Sequence, residues 1–227
     1  MSGKRSYEDG CGTAHALELI GERWALLIAR ELLLGPKRFT DLRADLRTIS
    51  ANVLTHRLEE MEASGIVVRR KLPPPAASWI YELTPWGYDL GPVISSLGLW
   101  AARSPAMPSG LPMSANSLIL ALRALFDARR AGDTRLLVAL DFGSVIFRIA
   151  VADGALDAER VAEIPVGATR LACDVPTFDA IRAGRISLAE AIETGRASIT
   201  CDDDGDGDAV RRLLDLCPMI HAANPPS

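Results

Sequence analysis

A break in the pattern of apolar residues near the middle of the chain most constrains what it can fold into. Residues 103–114, RSPAMPSGLPMS, hold three prolines, three serines and a glycine, and their apolar residues follow neither the helical nor the strand period. The segments on both sides are periodic and each is long enough to form its own core. The sequence therefore predicts two units, residues 1–105 and 114–227, joined by a linker at residues 106–113.

The composition favours a folded protein that stays in the cytoplasm. The 227 residues are 48% hydrophobic and 24% charged, and no apolar run approaches the roughly 18 residues that cross a bilayer. The first ten residues lack the apolar core of a signal peptide, so no membrane partner is expected. The four cysteines are scattered without a CxxC pair, so neither a zinc site nor a disulfide framework is indicated. No metal or cofactor is expected.

The net charge of −4 does not by itself indicate a nucleic-acid-binding protein. Binding depends on where the charges lie, however, and the two halves differ. Residues 1–105 hold 13 Lys and Arg against 12 Asp and Glu, whereas residues 106–227 hold 12 against 17. The acidic excess belongs to the second half, which leaves the first half open to an anionic partner.

The first unit has an order of elements that is typical of a winged helix-turn-helix. Two helices, AHALELIG and ERWALLIARELLLG, are divided at Gly21, and a short helix, FTDLRADL, follows. Residues 49–66, ISANVLTHRLEEMEASGI, predict a further helix with Ser50 as N-cap and Gly65 as C-cap. Two strands, IVVRRKL and WIYELT, are joined by a proline-rich turn, and a last helix is predicted from Pro85 to about Ala102.

The helix at residues 49–66 has an unusual exposed face. Its helical spacing predicts one buried stripe, formed by Val53, Leu54, Leu58 and Met61. The opposite face of its first half carries short hydrogen-bonding side chains and no acid. In a helix-turn-helix the second helix lies in the major groove of DNA, where Asn pairs with adenine and Ser or Thr bonds to several bases. The predicted base-contacting residues are Ser50, Asn52, Thr55 and His56.

Basic residues around this helix are candidates for contacts with DNA phosphates. They lie at the edge of the helix, in the turn before the short helix and at the start of the wing, and are Arg57, Lys37, Arg38, Arg69, Arg70 and Lys71. Each position has another interpretation: Ser50 can simply cap the helix, and lone surface histidines or basic triplets at strand ends are usually solvated. Their concentration on one expected surface favours double-stranded DNA as the partner.

Several segments of the first unit occur together in a recognisable order. They are Cys11 ahead of the first helix, LIGERWALLIARELLLGPKRF, ISANVLTHRLEEME, GIVVRR and YELTPWGYDL, ending in Trp100. Residues 11–100 thereby resemble the HxlR family of bacterial winged-helix transcriptional regulators, which are MarR-like. The resemblance implies a homodimer in which the first and last helices pack across the twofold axis, with two recognition helices facing a pseudo-palindromic operator. Leu97, Leu99 and Trp100 would then be interface residues, unless they pack within one subunit.

The resemblance also directs attention to Cys11. Part of the HxlR family senses electrophiles or oxidants through a cysteine near the N-terminus, and Cys11 occupies that place just before a helix whose N-terminus favours a thiolate. The proline that usually follows this cysteine is Gly12 here. Redox sensing through Cys11 is one hypothesis, and an inert or interface cysteine is the alternative.

The second unit predicts a sheet covered by helices. A helix, NSLILALRALFDARRA, precedes the strands RLLVALDF, VIFRIAVADG, VAEIPV and TRLACDV. A helix ending near Gly184, a second from Ile186 with Ala189, Ala191 and Ile192 packed inward, the strand RASIT and the helix AVRRLLDLC complete it. The pattern residues Gly184, Arg185, Ser187, Ala191 and Gly195 resemble those of the sterol-carrier-protein (SCP2-like) fold. The resemblance implies a twisted sheet with an apolar cavity that in relatives holds a lipid or acyl chain.

A ligand in such a cavity would be mostly apolar. The candidate lining residues are Leu122, Phe126, Phe147, Ile149, Phe178 and Ile192, and an ordinary core is the alternative, since every sheet-on-helix domain needs such a stripe. Arg148 and Arg170, on the strands, are candidates for meeting a carboxylate. The acidic run DDDGDGD meets four positions of a calcium-binding loop, but Leu213 stands where a bidentate Glu belongs. Capping of the last helix by Asp206 or Asp208 is the better interpretation.

The sequence as a whole predicts an α+β protein with an N-terminal winged helix-turn-helix and a C-terminal α/β SCP2-like unit. The leading hypothesis is a homodimeric DNA-binding regulator, a repressor, modulated by a small apolar ligand and associated with the nucleoid when bound to DNA. One alternative is a lipid or small-molecule carrier whose winged helix serves dimerisation, and another is a regulator that responds to redox through Cys11. No enzyme is expected, because the three histidines lie in no recognisable nucleophile or metal arrangement.

Overall fold

Two separate sheets, of three and five strands, form in the computed structural model of the chain, which describes residues 6–74, 78–108, 110–201 and 207–219. By its internal contacts the chain divides into unit 1, Met1–Ile94, and unit 2, Ser95–Ser227. Described residues 102–108 and 110–114 belong to no helix or strand. Placement of a linker at residues 106–113 stays a prediction. The architecture is mixed α+β.

Unit 1 has the order of a winged helix-turn-helix. Its elements are α1 (Gly12–Ile20), α2 (Ala25–Leu32), β1 (Lys37–Arg38), α3 (Phe39–Asp45), α4 (Ala51–Ala63), β2 (Val67–Lys71), β3 (Trp79–Leu83), α5 (Pro85–Tyr88) and the start of α6 (Leu90–Ala101). The strands pair antiparallel in the order β1-β3-β2. The helices before the wing and the hairpin itself are where the sequence predicts them.

Three details of unit 1 differ from the sequence prediction. The second helix begins at Ala25 rather than at Glu22, because Trp24 has a left-handed backbone (φ 85°) that a helix does not continue through. The segment before α3 is a short strand, β1, so the wing has three strands instead of two. The last helix is interrupted at Asp89, which separates α5 from α6.

The buried face of α4 is narrower than predicted. Leu54, Leu58 and Met61 are at most 1% exposed and lie in the core of unit 1, whereas Val53 is 39% exposed and does not belong to the buried stripe. The helix begins where Ser50 Oγ accepts a hydrogen bond from the amide of Val53 (3.3 Å). It ends before Gly65, whose φ of +74° favours glycine. The caps define the two ends of α4, and the buried stripe determines how the helix is rotated about its own axis.

A buried network of charges connects three elements of unit 1. Glu31 of α2 is completely buried, and its carboxylate lies 2.8 Å from both Arg30 Nη2 and Lys37 Nζ. Lys37, on β1, is 5% exposed and also contacts Asp45 at the end of α3. Buried charges need such partners because desolvation is costly. The network therefore holds α2, the third wing strand and α3 in one arrangement.

Unit 2 contains a five-stranded sheet with helices before, between and after its strands. Its elements are the end of α6, α7 (Ala115–Leu125), α8 (Ala128–Ala131), β4 (Leu136–Asp141), β5 (Ile146–Ala152), β6 (Ala155–Val161), β7 (Thr169–Cys173), α9 (Val175–Arg182), α10 (Leu188–Glu193), β8 (Ala197–Thr200) and α11 (Asp208–Leu216). The strand order is β6-β5-β4-β7-β8. Only the β4–β7 pair is parallel. The chain thus makes an antiparallel meander and then crosses to the other side of β4.

Several predicted elements of unit 2 need correction. The third strand is ALDAERV rather than VAEIPV, because its polar alternation (exposed Asp157 and Glu159) hid it from a search for apolar runs. The first helix breaks at Phe126, whose backbone is extended. Ile192 does not pack inward: it is 37% exposed, as Ala189 is exposed, while Leu188 and Ala191 face the core.

The pattern residues of the predicted sterol-carrier segment have local structural roles. Gly184 and Gly195 follow the ends of α9 and α10 with φ of +66° and +68°. Ser187 caps α10 by accepting from the amide of Glu190 (3.0 Å), and Arg185 binds Asp179 (2.6 Å). The two helix ends and the cap explain the spacing of these pattern residues, and no bound ligand is needed to explain it. The last helix, by contrast, has Gly207 as its N-cap and no side-chain cap, so Asp208 is not its N-cap. Asp206 lies outside the described residues.

We expect Lys37→Met to lower the free energy of unfolding of unit 1 by roughly 3 kcal/mol, because the buried carboxylate of Glu31 loses a partner. The double variant Lys37→Met/Glu31→Leu should recover most of that loss, since an apolar pair carries no desolvation cost. Urea denaturation followed by tryptophan fluorescence measures both. Three of the four tryptophans, Trp24, Trp79 and Trp86, lie in unit 1. A single variant as stable as the wild type would contradict this account of the network.

Candidate nucleic-acid interface

The exposed residues in the first two turns of α4 carry no charge, and all of them except Val53 are polar. Asn52, Thr55 and His56 are all exposed, and the first turn contains no acidic residue. His56 Nε2 lies 3.4 Å from Glu60 Oε1, so the histidine is oriented along the helix by a group one turn later. These three predicted residues are therefore brought together on one accessible surface. Contact of each with a base stays a prediction.

Two other predicted residues of this surface already have partners. Ser50 is exposed, but its hydroxyl oxygen caps α4, so the alternative interpretation of this residue is realised. Arg57 has only 16% of its side chain exposed; its Nη2 lies 3.2 Å from Glu22 Oε2, and its Nη1 binds Glu60. A phosphate can reach Arg57 only in competition with these two carboxylates.

The prediction that Lys37 holds the DNA backbone is corrected by the structure. Its ammonium is buried between Glu31 and Asp45 and is not available to a phosphate. No local pattern indicates this burial, because a lysine after Gly-Pro usually lies in a solvated turn. Arg38, the next residue, is exposed and starts α3. Arg38 alone remains as the predicted phosphate contact in this segment.

The wing carries its basic residues on β2, which pairs with β3. Arg69 is stacked on Trp79, with its guanidinium carbon 4.4 Å from the ring centroid, and lies 5.9 Å from the ring of Tyr81. Arg70 is exposed and bonded to Glu82 (Nε–Oε2 2.7 Å), and Lys71 is exposed. Sequence reasoning missed the role of Trp79; the alternation of aromatic residues in WIYEL opposite a basic triplet was the available signal.

Helix α6, LGPVISSLGLWA, has no charged residue and is mostly apolar, yet none of its twelve residues, all of which the structure describes, is buried. Leu97 is 43% exposed and Trp100 is 67% exposed, whereas Leu99 is half-buried. In unit 1 an open groove of about 240 Å³ lies along α1 and the start of α6, lined mainly by Leu19, Ile20, Trp86, Leu90 and Val93. An apolar helix without a covering surface is typical of a protein-protein contact.

Cys11 is exposed and precedes α1 directly. The backbone N–H groups of Ala14 and Thr13, at the open helix N-terminus, lower the pKa of the Cys11 thiol. Burial instead raises the pKa of Cys173 and of Cys217, in each case to about 12. The predicted sensor cysteine thus has the most favourable surroundings for a thiolate among these three.

The predicted ligand-lining residues of unit 2 are not equivalent. Leu122, Phe147, Ile149 and Phe178 are completely buried, and Phe142 packs edge-on against both phenylalanines (ring centroids 6.1 and 5.6 Å apart). Phe126 is half-buried at the end of α7. Ile192 is not a candidate lining residue, because it lies on the outer face of α10.

The two arginines predicted to meet a ligand carboxylate already bind carboxylates of the chain. Arg148 Nη1 lies 2.7 Å from Asp157 and 3.2 Å from Glu159. Arg170 binds Asp141 through Nε (3.0 Å) and Nη2 (2.6 Å). Burial acts to raise the pKa of Asp141, but the amide of Gly143 and the guanidinium of Arg170 outweigh it and lower that pKa.

Within the part of the chain that the structure describes, no three His, Cys, Asp or Glu side chains come together as metal ligands. No helix in that part is long and apolar enough to cross a membrane. The segment Asp202–Asp206, which holds the first positions of the calcium-like pattern, lies outside the described residues.

Comparison with known proteins identifies the first half of the chain. The profile of the HxlR-like helix-turn-helix family matches residues 19–107. The uncharacterized HTH-type transcriptional regulator YvaP of Bacillus subtilis is 36% identical over 86 residues, which are 38% of this chain and 80% of that protein. The HTH-type transcriptional regulator YodB of the same organism is 40% identical over 86 residues, or 38% of this chain and 77% of that protein.

Solved structures include the reduced form of YodB from B. subtilis, which is 34% identical to this chain, covers 44% of it and is itself covered completely, with a TM-score of 0.40. The chain therefore belongs, through its N-terminal part, to the HxlR-like helix-turn-helix family of transcriptional regulators.

Proposed function

We propose that this transcriptional regulator is a homodimeric repressor that binds a pseudo-palindromic operator with α4 in the major groove. The observation that carries the proposal is the face of α4 on which Asn52, Thr55 and His56 are exposed together and no acid lies in the first turn. Asn presents both a donor and an acceptor to adenine, and Thr presents a hydroxyl to several bases. Such a face has little structural purpose, since the core of unit 1 uses only the opposite stripe.

The basic side chains support a contribution from phosphates. Arg38, Arg69 and Lys71 are exposed, and Arg69 is held over Trp79 at the wing. A guanidinium that is already stacked loses less side-chain freedom when it meets a phosphate than a freely rotating one does. Arg69 is therefore the wing residue to which we assign the largest share of backbone binding. Lys37 has no part in it.

Dimerisation is proposed through α6. Its exposed Leu97 and Trp100 lie three residues apart on one face, and burial of such side chains stabilises association by about 25 cal/mol per Å² of apolar area. A dimer presents two α4 helices to two half-sites, as operator symmetry requires. A dimer seated on an operator that overlaps a promoter would prevent transcription, which is the repressor role.

Modulation by a small apolar ligand in unit 2 is part of the proposal. The resemblance to the sterol-carrier fold implies a twisted sheet covered by helices, and unit 2 has a five-stranded sheet with helices before, between and after its strands. The surroundings of Phe147 and Phe178 are apolar, so an occupant would be apolar as well. The ligand would regulate DNA binding only if it bound the DNA-competent and the incompetent dimers with different affinity.

Asn52→Ala should weaken binding to the operator by about 1–3 kcal/mol, because one bidentate contact to a base is lost. The double variant Asn52→Ala/His56→Ala should lose the preference for the operator over a scrambled duplex. Fluorescence anisotropy with the promoter region beside its own gene measures this preference. Raising the salt concentration should weaken both wild-type and variant binding, because the phosphate contacts remain.

Glu62→Ala is the matched control for the previous experiment, since Glu62 is exposed in the last turn of the same helix. It should leave the preference for the operator unchanged. Retention of wild-type preference by the double variant would exclude α4 as the reading element.

Native mass spectrometry of the purified full chain should record a dimer with an additional mass that denaturation releases, because a buried apolar ligand exchanges slowly.

Trp100→Asp should yield a monomer by placing a charge in the α6 contact. Ile164→Asp, at another exposed apolar position, should remain a dimer. A wild-type dimer whose mass equals that of two chains alone would contradict the proposal of a bound ligand, and a wild-type monomer would contradict the proposed assembly.

A second candidate function is sensing of electrophiles through Cys11. The specific observation is that this cysteine is exposed at the N-terminus of α1, where two amides lower its thiol pKa. A thiolate adds to an electrophilic carbon of a quinone, and the ring oxygen takes up a proton. The product would carry a bulky group beside α1, one of the helices that the resemblance places at the dimer contact.

At pH 7, iodoacetamide should modify Cys11 faster than Cys173 or Cys217, because the lowered pKa leaves more Cys11 as thiolate. The rate at Cys11 should fall only when the pH drops below its lowered pKa. Peptide mapping by mass spectrometry gives the three rates.

A quinone should release the wild type and a Cys201→Ser control from the operator, but it should not release Cys11→Ser. Release of Cys11→Ser by the quinone would exclude sensing through Cys11.

A further inference from the structure

We propose that Val53 reads the methyl group of a thymine in the operator, beside an adenine read by Asn52. This inference rests on the proposed function, because it concerns what α4 contacts once it lies in the major groove. It adds a specificity-determining residue and a base composition to the half-site.

The exposure of Val53 is the first observation. Val53 is 39% exposed, whereas Leu54, Leu58 and Met61 on the same helix are at most 1% exposed. The buried stripe of α4 is complete without Val53, so the folded state of unit 1 gains little from an apolar side chain at this position. A polar residue would serve a solvated helix surface at least as well.

The position of Val53 is the second observation. Its amide is held by Ser50 Oγ, which fixes the first turn of α4 and with it the direction of the valine side chain. Asn52 precedes it and is exposed, and His56 lies three residues later, on the neighbouring part of the helix surface. Val53 is thus an apolar group among hydrogen-bonding ones, at the end of the helix that enters the groove first.

The chemistry of the major groove completes the argument. Among the groups on base edges there, only the C5-methyl of thymine is apolar, whereas cytosine presents an amino donor at the neighbouring position. A β-branched side chain has few rotamers and loses little entropy when it is fixed against a methyl group. Consecutive helix residues point about 100° apart but rise by only about 1.5 Å, less than one base step of about 3.4 Å, so Asn52 and Val53 are close enough along the groove to reach adjacent base pairs.

The test begins with selection of binding sites from a random duplex library by the full chain. In the selected half-site, each thymine is replaced in turn by deoxyuridine, which removes only the methyl group. One replacement should weaken wild-type binding by about fourfold per half-site, the factor expected for one methyl group removed from apolar contact. Val53→Ala should bind the thymine duplex more weakly and should be insensitive to that same replacement.

Val166→Ala is the matched control, because Val166 is 95% exposed in a loop of unit 2. It should keep the full sensitivity to deoxyuridine, and thermal unfolding should be unchanged for both valine variants. If the selection yields a specific site but wild type and Val53→Ala respond equally to every replacement, the assignment of Val53 is overturned and the proposed function survives. If the selection yields no preferred sequence, the proposed function fails and this inference fails with it.

Discussion

The position of the candidate DNA-binding surface depends on a carboxylate that has no access to water. Glu31 is completely buried, and the ammonium of Lys37 lies 2.8 Å from it while also contacting Asp45. An uncompensated charge in that place is strongly unfavourable, so β1 must stay between α2 and α3. Because β1 pairs with β3, and β3 with β2, the same constraint orients the wing relative to the helix-turn-helix. Lys37 therefore helps to position the candidate DNA-binding surface and is not itself part of it.

Two further constraints determine which residues of α4 form its exposed face. The cap at Ser50 and the glycine at Gly65 define where the helix begins and ends, and the narrow buried stripe defines which residues face outward. The outward residues of the first two turns carry hydrogen-bonding groups and one exposed valine, Val53, instead of charges. These side chains are not part of the core of unit 1, and base edges offer groups complementary to them.

The element order of unit 1 was predictable, because helix period, caps and proline-rich turns are local signals. The burial of individual side chains was less predictable. Local patterns indicated a solvated Lys37 and a buried Val53, and tertiary packing reverses both assignments. In unit 2 the strand ALDAERV was not predicted, because one of its faces is polar. Ile192 was predicted to face the core because the helical spacing fits two adjacent faces of the helix equally well. Ion pairs such as Arg170–Asp141 join residues distant in sequence, and no local pattern announces them.

The proposed mode of DNA binding places the side chain of Asn52 against base edges. Heteronuclear NMR can follow the side-chain amide of Asn52, assigned by comparison with Asn52→Ala, in the free and the bound protein. We expect a large shift of that NH₂ signal on addition of the operator duplex, and little shift with a scrambled duplex of the same length at the same salt concentration. Equal shifts with both duplexes, or none with either, would contradict it.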